Sequence, residues 1–144
     1  MTAAATLVEA LERAGYRLTE PRRTVAELVA GRAGYFRAAD LAAEARRTRQ
    51  DVGRATIYRA LDLFLTLGLV ERVDLPDGEH AYVPCDPVHH HHAICTTCGR
   101  SLDISDHGLD EVLREIGRRS GFRVAVHRLE LFGDCASCQA AGRA

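Results

Sequence analysis

Tryptophan and lysine are both missing from this 144-residue chain, and aromatic residues make up only 6% of it. A core built with so few rings is aliphatic, made of Leu, Val, Ile and Ala. Without lysine, all 19 basic residues are Arg, a bias to which we attach no functional meaning. Long apolar runs are also lacking: no stretch approaches the ~18 residues of a membrane span. The opening MTAAATLVEALERAG carries Glu9 and Glu12 inside its apolar pattern. It reads as an amphipathic helix and not as a signal peptide, so the expected location is the cytoplasm, with no membrane partner. Five Cys in a reducing compartment are then read as metal ligands before disulfides.

What is present suits a soluble globular chain of one ordinary or two small domains: 47% of residues are apolar and 27% charged. The net charge of −1 alone argues against a nucleic-acid partner. Its distribution argues the other way. Residues 1–72 hold 12 Arg against 9 acidic residues, whereas residues 73–144 hold 7 against 11. A basic front half and an acidic, His- and Cys-rich rear half suggest two domains with different partners.

Along the chain, Leu7, Val8, Leu11 and Ala14 mark one face of a first helix, ended by Gly15. In YRLTEPRRTVAELVAG, Thr19 caps a second helix with Pro21 in its first turn, with Val25, Leu28 and Val29 facing inward and Gly31 as the stop. A third helix spans roughly residues 38–46. The most regular is GRATIYRALDLFLTLG, whose Ile57, Leu61, Phe64, Leu65 and Leu67 recur at helical spacing. Two alternating runs in LVERVDLPDGEHAYVP then flank Asp77-Gly78, a hairpin turn signal. Three helices leading into a two-stranded hairpin follow the order of a winged helix, with the last helix as the recognition helix. CDPV marks a change of composition. The expected organisation is a winged-helix domain at 1–84, a hinge at 85–88 and a second domain at 89–144. In the second domain HHAIC and SLDI read as strands, a helix runs from about His107 to Arg119, and FRVAVHRLELF reads as a long strand.

Cys95-Thr-Thr-Cys98 and Cys135-Ala-Ser-Cys138 carry the strongest chemical signal. Each knuckle presents two thiolates on one side of a tight turn, and two knuckles complete a tetrahedral all-sulfur shell suited to Zn2+. The 36 residues between the pairs must then be stapled back onto the first knuckle. A redox motif would need one such pair at a helix start, not two.

Four adjacent histidines, His89 to His92, precede the first knuckle. Successive side chains of an extended strand point to opposite faces, so His89 and His91 form one pair and His90 and His92 another. Two pairs serve two ions more readily than one. Cys85 and Glu71 are the candidate partners for His90 and His92; Asp110 and His127 are those for His89 and His91. A solvated His run with incidental metal affinity is the bland alternative. His80, His107 and Tyr82 are read as ordinary surface or isolated residues.

LTEPRRTV, ATIYRALDLF, PDGEHAYV, HHHHAICTTCG and VHRLELFGDCASC, in this order, resemble the ferric-uptake-regulator (Fur) family of bacterial metal-sensing repressors over nearly the whole chain. The resemblance implies an α+β protein: an N-terminal winged helix followed by a small α/β dimerisation domain with a four-cysteine zinc site. It also implies a homodimer that binds a palindromic double-stranded operator when metal-loaded. Carried over by position, Cys95, Cys98, Cys135 and Cys138 hold structural zinc. Tyr58 and Arg59 fall on DNA-contacting positions of the recognition helix, and Arg22 falls near the phosphate backbone; Arg54 and Thr56 are further base-edge candidates. Iron- and peroxide-sensing members use a His where this chain has Tyr35. The zinc-sensing branch uses an acidic residue at the wing, a hinge Cys and the second and fourth His, here Glu71, Cys85, His90 and His92. Glu71 replaces the Asp of similar zinc sensors. His89, His91, Asp110 and His127 make a possible third site, with Asp110 where Glu is commoner. A thiolate among imidazoles favours Zn2+ over Fe2+ or Mn2+. The expected function is therefore a zinc-sensing repressor of zinc-uptake genes. The alternatives are an iron-, peroxide- or nickel-sensing relative, or a metal-buffering protein, which would leave the winged helix unexplained. A zinc hydrolase is disfavoured because no HExxH or comparable arrangement is present.

Overall fold

A computed structural model describes residues 3–84, 90–105 and 108–142, the side chains of 3–5 excepted. The chain divides into two compact units, Met1–Pro87 and Val88–Ala144. Helices α1 (Ala3–Arg13), α2 (Glu20–Ala30), α3 (Ala38–Arg47) and α4 (Arg54–Thr66) lead into strands β1 (Val70–Asp74) and β2 (His80–Pro84). The second unit contains β3 (His91–Cys95), β4 (Ser101–Ile104), α5 (Leu109–Ser120), β5 (Glu130–Gly133) and α6 (Ala136–Ala140).

Apolar spacing decides which face of each helix of the first unit is buried. Leu7 and Leu11 of α1, Val25 and Val29 of α2, Leu41 of α3, and Ile57, Leu61 and Phe64 of α4 converge in one core. Leu65 and Leu67, expected in the same stripe, are only partly buried against it. Thr19 caps α2: its Oγ1 accepts from the Arg22 backbone N–H at 3.4 Å. Helices α1, α3 and α4 all close with paired backbone bonds. Gly15 N–H donates to Glu12 O and Tyr16 N–H to Leu11 O; Arg49 donates to Arg46 and Gln50 to Ala45; Gly68 donates to Leu65 and Leu69 to Phe64. This is the Schellman closure, which satisfies carbonyls left open at a helix end.

The β1–β2 hairpin pairs Val70 with Pro84 through to Asp74 with His80. Its turn bonds Gly78 N–H to Leu75 O and Leu75 N–H to Glu79 O. Gly78 alone of the turn takes a positive φ, +84°. The hairpin gains a third backbone partner: Phe36 and Tyr82 exchange N–H···O bonds of 2.9 and 2.8 Å. Four helices with such a wing make a winged helix.

The second unit is a three-stranded sheet in the order β4-β3-β5, with β4 antiparallel and β5 parallel to β3. Helix α5 begins at Leu109 after Gly108 and stops at Gly121, both left-handed, and none of its residues is buried. The strand expected over 122–132 is realised only at Glu130–Gly133; residues 122–129 adopt no regular structure. The ladder of β5 with β3 begins at Glu130 opposite His92, beside the first residue of β3, so the run before it extends past that strand, and an alternating run with no ladder to join cannot satisfy its backbone as a strand. Phe122 and Val126 of that run are 71% and 88% exposed. Among the described residues no helix is long and apolar enough to cross a membrane.

Candidate metal centres and nucleic-acid interface

The four knuckle cysteines meet although their two pairs lie far apart in sequence. Cys95 ends β3, and backbone bonds close the turn that follows: its N–H donates to Arg100 O at 2.8 Å and its carbonyl takes the Gly99 N–H at 2.9 Å. Gly99 takes the positive φ (76°) that this tight reversal requires. Cys135 caps α6 and Cys138 sits within it. The sulfurs of Cys95 and Cys138 are 3.8 Å apart, and those of Cys98 and Cys135 3.7 Å. All four lie within 4.8 Å of one another, and the four are free of disulfides. A regular tetrahedron with Zn–S of ~2.3 Å has S···S edges of about 3.8 Å. The donor set therefore fits a single Zn2+.

Electrostatics fit too. The backbone N–H of Cys135, 3.4 Å from the Cys95 sulfur, and that of Cys98 hold the Cys95 thiol down to about 6. The Cys138 N–H lowers Cys135 in the same way. Cys138, crowded first by Cys135 and then by burial, is pushed up to about 12. Thiols packed this tightly cannot all ionise without a cation between them.

The histidine run separates into two sets of partners. His90 and His92 rings stand 4.7 Å apart at 87°. Asp103 Oδ1 lies 3.4 Å from His92 Nδ1 and 4.0 Å from His90 Nε2, and the three donors form one compact group. His91 instead faces His127, with Nε2 atoms 3.2 Å apart. Glu71 stands on β1 of the first unit, and Cys85 and His89 lie outside the described residues, as does His107. Asp110, on the exposed first turn of α5, lines with His127 a cleft of about 390 Å³ that also includes Leu113, Arg114, Phe122 and Val124. His80 is exposed on the wing, its Nδ1 2.7 Å from Asp74 Oδ1.

Asp103 is a donor that the sequence reading does not single out. The signal is present in the register. With the knuckle bond between Cys95 and Arg100 as pivot, counting outward along both strands pairs His92 with Asp103.

On α4, burying Ile57, Ala60, Leu61 and Phe64 turns Arg54, Tyr58 and Arg59 outward, with Tyr58 46% exposed. Arg59 Nη2 donates to Thr56 Oγ1 at 3.3 Å, which ties two of the candidate contacts together. Arg22 differs: it is half-buried, and its guanidinium donates to the Arg17 carbonyl across the α1–α2 turn.

A winged helix joined to a cysteine- and histidine-rich α/β unit defines a metal-linked DNA-binding architecture. Comparison with known proteins agrees. The Ferric uptake regulator family matches residues 13–132. The zinc uptake regulation protein of Mycobacterium tuberculosis (strain H37Rv) is 32% identical over 126 residues, 88% of this chain and 97% of the relative. The ferric uptake regulation protein of Escherichia coli K12 is 33% identical over 128 residues, 88% of this chain and 86% of the relative. Among solved structures, a zinc uptake regulator complexed with zinc and DNA superposes with a TM-score of 0.76 at 27% identity. It covers 98% of this chain and 95% of that one. The chain belongs to the ferric uptake regulator family and is a metal-responsive DNA-binding regulator, not an enzyme.

Proposed function

We infer that this regulator is a cytoplasmic repressor of zinc-uptake genes, with Zn2+ both as a structural ion and as the sensed signal. The observation that carries the structural assignment is the 3.7 and 3.8 Å sulfur spacing of the four-cysteine group. Cys95, Cys98, Cys135 and Cys138 hold the structural ion. Glu71, Cys85, His90 and His92 hold the regulatory one. The supporting chemistry is the donor set, since a thiolate with two imidazoles selects Zn2+ over harder cations. His89, His91, Asp110 and His127 form a third site, supported by the approach of His91 to His127.

Bound zinc supplies a fixed coordination geometry, and its ligands must shed their protons to provide it. The residues do the rest. Glu71 belongs to the wing and Cys85 to the hinge, so both closing on His90 and His92 fixes the angle at which residues 1–84 are held. In a homodimer made through residues 89–144, that angle sets the separation of the two α4 helices. They must enter major grooves a whole number of turns apart, ~34–36 Å for one turn, on a palindromic operator. A differential affinity of ~1–3 kcal/mol for the closed arrangement tightens operator binding 5–150-fold. Tyr58 and Arg59, with Arg54 and Thr56, read base edges; Arg22 steadies the α1–α2 turn near the backbone. The exposed Leu102, Val112, Ile116, Phe122, Val126 and Leu131 support burial against a second copy.

One observation favours a second reading. Asp103 beside His90 and His92 adds an oxygen donor, which suits Fe2+ or Mn2+ better than a thiolate does. The deciding experiment chelates the protein and asks which metal restores binding to its own upstream DNA. Zinc restoring wild type but not Cys85→Ala supports zinc sensing. Restoration of Cys85→Ala at the same free zinc overturns it, and loss on Asp103→Ala with iron or manganese as activator supports the alternative.

A further inference from the structure

Three helices of the first unit end in the same Schellman closure, and the residue after each helix cap takes the left-handed conformation. At the end of α1 it is Gly15 (φ 79°), and at the end of α4 it is Gly68 (φ 68°). At the end of α3 it is Arg49 (φ 56°), the one non-glycine with positive φ among the described residues. Glycine adopts this conformation without cost, whereas a Cβ clashes with the neighbouring carbonyl. The chain thus uses the unstrained residue at two ends and the strained one at the third. What arginine supplies there, and glycine cannot, is a guanidinium.

The surroundings indicate its use. Arg46 and Arg47 occupy the last turn of α3, and Arg54 opens α4; with Arg49 all four are exposed. Residues 46–54 hold four Arg against Asp51 alone, in a chain whose net charge is −1. Arg47 has a long contact with Glu44 at 3.9 Å. Among the described residues Arg46, Arg49 and Arg54 join no carboxylate. This stretch is the turn of the helix-turn-helix. The helix before it crosses the DNA backbone, and the helix after it enters the groove by its N-terminal end. The turn between them lies at the groove's rim, beside phosphates.

We propose that Arg49, with Arg46 and Arg47, grips the sugar–phosphate backbone at the edge of the groove that α4 enters. The inference rests on the reading of this unit as operator-binding and adds contacts outside the recognition face. Such contacts set affinity and register but read no sequence. They also release counterions, which makes them measurable through salt.

The test uses the full-length, metal-loaded protein and two duplexes: the gene's own upstream region and a scrambled sequence of equal length. Arg49→Ala should weaken binding to both by the same factor and flatten the plot of log affinity against log salt by ~0.9. Between 50 and 200 mM salt the variant would then lose about 3.5-fold less affinity than wild type does. Arg46→Ala and Arg47→Ala should act in the same direction. Arg49→Gly should bind DNA as weakly as Arg49→Ala, yet melt a few degrees above wild type because the strain is gone. An unchanged salt slope in Arg49→Ala and Arg49→Gly overturns the proposal while leaving operator binding intact. So does a loss confined to the upstream duplex, which would make Arg49 a base reader. Failure of wild type to prefer its upstream duplex over the scrambled one overturns the operator reading itself.

Discussion

The two units are held together by different physics. In the first, four helices and a wing share one apolar core, with Leu11, Val25, Val29, Leu41, Leu61 and Phe64 fully excluded from solvent and Val70 and Tyr82 of the wing packed into it. In the second, the most buried side chains are Ile94, His91, His92, Cys95 and Cys138. Four of these five are metal-ligand types, and its single long helix buries nothing. The first unit is stabilised by its own apolar burial. The second has a smaller apolar core among the described residues and leaves Leu102, Val112, Ile116, Phe122 and Val126 exposed. On the proposed reading, sensing draws on the metal-ligand side chains of the second unit together with Glu71 and Cys85 of the first, and DNA reading on the unit with its own apolar core.

The largest expected break in that contrast comes from Cys95→Ser, or from strong chelation. Structural zinc contributes ~10–16 kcal/mol of apparent binding free energy, as much as the whole stability of a small domain. The second unit should lose its fold and its zinc, measured by metal analysis and hydrogen exchange, while amides of α2 and α4 stay protected. Loss of protection in both units together would show that they are not independent. Next in size, Leu61→Ala should cost the first unit ~2–5 kcal/mol by denaturant titration, with zinc content unchanged. Ile116→Asp should leave both units folded but shift the sedimentation coefficient to that of a monomer, because it places a charge on the exposed α5 face. The smallest effect is that of Thr19→Ala, ~1 kcal/mol on the first unit through loss of the α2 cap; a change in metal affinity from this variant would contradict the separation.

Local signals were legible in the sequence, and of the non-local ones only the meeting of the two cysteine pairs was. The Thr19 cap, Gly15, the α4 stripe and the Asp77-Gly78 turn each depend on a few neighbouring residues, and each appears in the fold. Paired Cys-x-x-Cys spacing announced four sulfurs that converge. The alternating run at 122–129 misled because alternation reports two differing faces, not a hydrogen-bonded neighbour. Asp103 escaped because its proximity to His92 is a property of strand register across the knuckle. Arg49 escaped for a third reason: arginine is no signal for a left-handed residue, so the strain shows only in the backbone.

The exchange of backbone bonds between Phe36 and Tyr82 has a mechanical consequence. It stitches the loop that starts α3 to the strand that ends at Pro84. Any displacement of that strand is therefore coupled to the start of α3 through two short amide links as well as through the shared core. The wing and the helix-turn-helix are thus joined by backbone bonds as well as by side-chain packing.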